Sequence, residues 1–154
     1  MVFLQALVSK RGPAFRCFTE VERGRVILAL SPSVFAEVRE VLGRFDLQQK
    51  FTGLIPERVD RFLKEVASRS IFLQDVPSIF NLPRDPKDEP YIDLAIAAHA
   101  NYLVTWNMRH LGYLMKHDTP EGKDFCRRFP DIKILEPPTF LHDVDGLPDK
   151  PGTV

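Results

Sequence analysis

Thiols are scarce in this chain: Cys17 and Cys126 are the only two cysteines. They lie far apart, outside any CxxC or histidine-rich neighbourhood, which argues against a disulfide framework or a zinc site and for reduced thiols in a cytoplasmic protein. There is no excess of charge of either sign, 21 Lys and Arg against 21 Asp and Glu. Bulk electrostatics therefore speaks neither for nor against a nucleic-acid partner. No apolar run is long enough to span a bilayer. The opening stretch, residues 1–8, is apolar but short and has no basic region ahead of it, so it reads as the interior of a folded domain rather than an anchor or signal peptide. Glycine-rich phosphate loops and nucleophile elbows are missing too, which disfavours P-loop ATP hydrolysis and serine hydrolase chemistry. His99, His117 and His142 form no metal-ligand spacing with one another or with the cysteines, and neither an internal repeat nor an interdomain linker is visible.

What is present is an alternation of helical and strand-like segments. At 154 residues the chain has the size of one domain, able to bury ~70% of the surface its unfolded form exposes. Gly12-Pro13 predicts a helix running to about Arg23, with proline at its first position. Val26 to Leu30 is a continuous apolar run, the mark of a strand covered on both faces. Ser31-Pro32 predicts a capped helix with Val34, Phe35, Val38, Val41 and Leu42 inward, and Pro56 opens another with Val59, Phe62, Leu63 and Val66 on its apolar face. A strand is expected at Ile71–Leu73, a helix from about Asp88 to Ala100, and a strand from Tyr102 to Thr105. Leu111–Met115 and Thr119–Arg128 read as helical, Ile132–Leu135 as the last strand, and Pro137–Leu141 as a closing helical turn. The expected domain covers residues 1–144, with a flexible tail from Asp145. Crossovers too long for hairpins give a three-layer α/β/α sandwich around a mostly parallel sheet, with the polar residues just beyond the strands gathered along one edge.

Glu37 lies in the first turns of the helix after Leu30, where it either points along the carboxyl edge or is a solvated acid favoured by the helix dipole. Asp88 precedes Pro90 and is a natural N-cap as much as a ligand. Asp85, followed by Pro86, could cap instead and release Asp88. Asp93 and Glu89 read as exposed. Thr105 and Asn107, at the end of the strand from Tyr102, are able to bind a metal or a phosphate, and Asn107 could equally cap the next helix. His110, three residues on, could reach a phosphate or a leaving group. Basic residues recur at Lys10-Arg11, Arg23, Arg25, Arg109, Lys123, Arg127 and Arg128, a distribution that ordinary surface charge explains equally well.

Three segments taken in order resemble the PIN domain family: Glu37 on its helix; Asp88 with Tyr91, Leu94 and Ala95; and Leu103-Val104-Thr105-Trp106-Asn107, where the family pattern has aspartate in the last position. The resemblance implies a Mg²⁺- or Mn²⁺-dependent ribonuclease acting on single-stranded RNA. Glu37, Asp88 and Asn107 would be its catalytic and metal-holding residues. It also implies a possible toxin role with an antitoxin partner, and possible homodimerisation. The family's first, central strand ends on an aspartate, and residues 2–9 look like the segment just after that aspartate. That strand and its acid are therefore expected to be missing, leaving either a sheet that closes the gap or a chain that folds poorly, with weak metal affinity and little nuclease activity. The alternative is a catalytically silent module binding RNA or a partner through the same face. An acid-site phosphatase or receiver-like domain is a third possibility.

Overall fold

Proline sets many of the helix starts. Pro13, Pro32, Pro56, Pro90, Pro120 and Pro137 each stand in the first two positions of a helix, where a missing N–H breaks no intrahelical bond. The computed structural model describes residues 1–147. Its helices are α1 (Val2–Val8), α2 (Pro13–Glu22), α3 (Pro32–Leu42), α4 (Phe45–Lys50), α5 (Pro56–Ser68), α6 (Glu89–Ala97), α7 (Met108–Leu111), α8 (Pro120–Arg128) and α9 (Pro137–Asp145). A 3₁₀ turn, Pro86–Asp88, leads into α6, and another, Gly112–Met115, comes after α7.

The strands are short and parallel. β1 (Leu28–Leu30) pairs with β2 (Ser70–Phe72), Leu30 opposite Phe72; β3 (Tyr102–Val104) pairs with β4 (Lys133–Leu135), Leu103 opposite Ile134. Side chains alternate across β3, as a strand's two-residue period requires. Leu103 joins Ile92 and Ala95 of α6, Phe125 of α8 and Ile134 on one side. Tyr102 and Val104 meet Cys17 of α2 and Phe140, Leu141 and Val144 of α9 on the other. Helices thus cover both faces, and the α/β sandwich expected from the sequence is the architecture found. α6 lies against both β1 and β3, contributing Leu94 to a cluster with Leu30, Val34 and Val66. A satellite core joins α1, α3 and α5 through Leu4, Leu7, Val38, Leu42, Val59 and Leu63.

β1 and β3 share no ladder, so the sheet consists of two two-stranded halves. Among the described residues no strand stands between them, and the gap is not closed by pairing. The break leaves little backbone unpaired, because each strand has three residues. Leu30 O accepts from Leu73 N across to β2, while Thr105 N donates to Leu135 O and Lys133 N to Asn101 O across to β4. Because backbone groups alternate in direction along a strand, only Ala29 on β1 and Tyr102 and Val104 on β3 turn theirs to the open side. All three residues are half-buried.

Other expectations change for related reasons. The run from Val26 was expected to be covered on both faces, yet its strand begins at Leu28 and Ile27 is 69% exposed: β1 has a neighbouring strand on one side only. Residues 2–8 and 45–50 are helical, which the sequence reading did not assign. α9 runs past the expected boundary to Asp145, because Phe140, Leu141 and Val144 are buried. Arg25 Nη2 donates to Val144 O at 2.8 Å, Arg25 lies 3.6 Å from Asp145, and Arg25 and Arg23 both bond the buried Glu20. α2 and α9 are thereby tied together over one face. Of the expected tail, residues 148–154 lie outside the described residues.

Candidate active site

Ser31 ends β1 and caps α3, its Oγ accepting from Val34 N at 3.3 Å. The helix then carries Glu37 outward on its second turn, exposed to solvent. Tyr91, three residues after Asp88, brings its phenol near Glu37. Burial first, then the charge and hydrogen bond of Glu37, holds that phenol above its ordinary pKa. Asp88 and Tyr91, separated by three residues, are helical neighbours on one face. That spacing is the signal by which Tyr91 was recognisable as more than a core residue.

Asp88 sits where the 3₁₀ turn meets α6, and its carboxylate makes no capping bond. Neither does that of Asp85, so both cap readings fail. Asp88 Oδ2 instead accepts from Asn107 Nδ2 at 2.7 Å, and Asp85 Oδ2 lies 2.6 Å from His110 Nδ1. Asn107 occupies the N-cap position of α7 without a side-chain cap bond. Its backbone N donates to Thr105 Oγ1 at 2.9 Å, a local turn of the kind hydroxyl side chains favour, which commits the Thr105 hydroxyl and aims the Asn107 amide at Asp88. Asp88 and Asn107 thus bond each other, and Glu37 acts on Asp88 through its charge, each from the segment after a strand or at the head of α6.

Charge is concentrated here. The Asp88 carboxyl is raised above the usual carboxylate range, first by burial, then by Asp85, with Glu37 adding to it, against the opposing bond from Asn107 and the charge of His110. Burial depresses the Met1 amino group, while Glu37 and Asp88 pull it the other way; that nitrogen lies among the acids too. A model of the PIN domain family matches residues 1–109, which contain Glu37, Asp88 and Asn107.

The chain belongs to the PIN domain family. PIN domains are generally nucleases. No curated protein and no solved structure matches the chain. In this PIN domain the basic residues are not gathered at the acids. Arg23 and Arg25 turn to Glu20, and Arg127 and Arg128 pair with Asp124; Arg109, just after Asn107, is exposed. No helix among the described residues is long and apolar enough to cross a membrane.

The donors at this PIN site are all oxygens: two carboxylates and the Asn107 carbonyl. Such a set suits a hard cation that keeps several waters. Among the described residues no group of three or more His, Cys, Asp or Glu is disposed to hold a metal, and with two carboxylates the set is poor in charge. Two acids that read as exposed are not. Asp93 is only 6% exposed, its Oδ1 accepting from Ile79 N and Phe80 N, and half-buried Glu89 accepts from Leu82 N. Both pin the loop before the 3₁₀ turn to α6, a job invisible to helical periodicity because the loop's backbone supplies the donors.

Proposed function

We propose that this PIN domain is a metal-dependent endoribonuclease for single-stranded RNA, the toxin of a toxin–antitoxin pair. The observation that carries the reading is the crowding of Asp88 by Asp85 and Glu37 beside the Asn107 amide. Like charges held together in partial burial are relieved by a cation. Glu37, Asp88 and Asn107 would hold Mg²⁺ or Mn²⁺. When bound, the ion lowers the pKa of a water and neutralises charge developing on the phosphodiester.

The chain's own residues do the positioning. Tyr91 stands near the Glu37 carboxylate, and the Thr105 hydroxyl sets the Asn107 backbone so that its amide steers Asp88. Arg109, exposed just after Asn107, would meet a strand phosphate, and Asp85 holds His110 nearby. One observation favours the rival reading of a silent RNA- or partner-binding module: the Asn107 N–H takes up an Asp88 oxygen that would otherwise be free for a cation.

A fluorescent single-stranded RNA incubated with the protein and Mn²⁺ separates the two. Slow cleavage that stops with EDTA and is lost in Glu37→Gln supports the nuclease. Salt-dependent binding without cleavage under any divalent metal refutes it and supports the silent module.

A further inference from the structure

A cavity of about 300 Å³ lies at the head of α6, lined by Ser33, Ser78, Pro86, Glu89, Pro90 and Asp93 among others. Pro86, Glu89 and Pro90 flank Asp88 in sequence, and Ser33 precedes Glu37 by four residues on α3, hence on the same helical face. The cavity is therefore built from the same two helix starts, of α3 and α6, that carry Glu37 and Asp88.

Its polar lining is fixed and rich in acceptors. Asp93 is more than nine-tenths buried, and its Oδ1 is held by the N–H groups of Ile79 and Phe80, each at 2.9 Å. The hydrogen bonds that hold it use Oδ1, and Asp93 lines the cavity. Glu89, one turn earlier on α6, spends Oε1 on Leu82 N at 2.7 Å and leaves its second oxygen over. Two carboxylate oxygens thus share a helix face. The Ser33 and Ser78 hydroxyls can donate or accept, and the rings of Pro86 and Pro90 provide flat apolar surface.

A neutral planar group with adjacent N–H donors fits this lining, and a phosphate does not. Among the bases, guanine alone offers two neighbouring donors, N1–H and the N2 amine. Uracil offers one N–H between two carbonyls that carboxylates repel. We propose that this cavity seats a guanine base of the RNA strand, so that binding and cleavage favour a guanosine next to the scissile phosphate. The proposal deepens the nuclease reading and rests on it.

The test measures binding of r(UUUGUUUU) and of r(UUUUUUUU) by fluorescence anisotropy in EDTA, where no cleavage interferes. The guanosine octamer should bind about tenfold tighter, the discrimination of a well-made polar contact to a base. Inosine at the same position, which lacks the N2 amine, should lose most of it. Asp93→Asn keeps an oxygen for Ile79 and Phe80 and replaces the other oxygen by an N–H donor, so the preference should vanish while the melting temperature holds. Glu89→Gln should weaken the preference and serves if Asp93→Asn fails to fold. Equal binding of the two octamers, or a preference untouched by these variants, overturns the proposal, and so does failure to bind either octamer. Equal binding together with Mn²⁺-dependent cleavage would leave the nuclease reading standing, whereas a guanine preference without cleavage under any metal would remove the nuclease reading alone.

Discussion

Replacing Asn107 by aspartate puts an acceptor where a donor now stands, 2.7 Å from Asp88 Oδ2. The substitution removes a hydrogen bond to a charged group, worth about 1.5–3 kcal/mol. It also sets two carboxylates face to face: parted to 4 Å at an effective dielectric near 20 they repel by about 4 kcal/mol. The pair escapes part of this by rotating or by sharing a proton, leaving a net cost of about 2–4 kcal/mol at pH 7.5. For a domain of this size that lowers the melting temperature by roughly 4–16 °C. The sign with pH is fixed by linkage. A carboxyl already raised above its unfolded value, as Asp88 is, binds more protons folded than unfolded, so its ionisation destabilises the fold as pH rises through the folded pKa. The substitution raises that pKa further, so the deficit should be small in acid and full at neutral pH. Divalent cations should reverse it: with Mn²⁺ at a hundred times its dissociation constant the gain is about 2.7 kcal/mol. Differential scanning fluorimetry of wild type and Asn107→Asp at pH 4.5 and 7.5, with EDTA or Mn²⁺, measures all of this. Equal melting temperatures at pH 7.5 in EDTA, or no larger Mn²⁺ response in the variant, would refute both the contact and the metal assignment.

Hydrogen exchange monitored by NMR should find the amides of Ala29, Tyr102 and Val104 exchanging much faster than those of Leu30 and Leu103, whose N–H groups face β2 and β4; equal protection would mean the sheet is not split. Gly122→Ala should destabilise by at least about 2 kcal/mol, as overpacking at a rigid contact does. A Cβ there would lie 2.8 Å from Tyr113 O and closer still to Lys116 O, and a chemical melt that shows no loss would contradict the close approach of α8 to the preceding 3₁₀ turn. Burial pushes the Cys17 thiol up to about 12, which cuts its thiolate fraction at neutral pH by about three orders of magnitude against a free cysteine. Iodoacetamide labelling and mass mapping should find Cys126 modified well before Cys17 in the native protein, the order disappearing in urea.

Residue type and spacing made much of the site legible. Prolines and Ser31 announced helix starts because their effect is local, and the strand segments showed in runs of apolar residues. Glu37, Asp88 and Asn107 stood out because each lies just beyond a strand or at the head of a helix, where parallel topology brings such residues to one edge. The bonds among them were not legible. Asp85 and Asp88 both looked like caps, since a cap is the local use of an acid before a helix; each instead takes a partner from the segment after β3, His110 for one and Asn107 for the other. Asp93 read as exposed because the donors that satisfy it, on Ile79 and Phe80, belong to a loop whose path no periodicity describes.

The sequence by itself determined the order of most elements, the PIN resemblance and which side chains could carry chemistry, because these rest on short-range sterics, capping and the alternation of apolar residues. Only the tertiary structure decided that the sheet stays in two halves, that Asn107 donates to Asp88, and that Asp93 and Glu89 line one cavity. Those outcomes depend on which backbone groups distant segments present to one another, and hydrogen bonds between residues 13 to 19 apart in sequence leave no trace in local pattern.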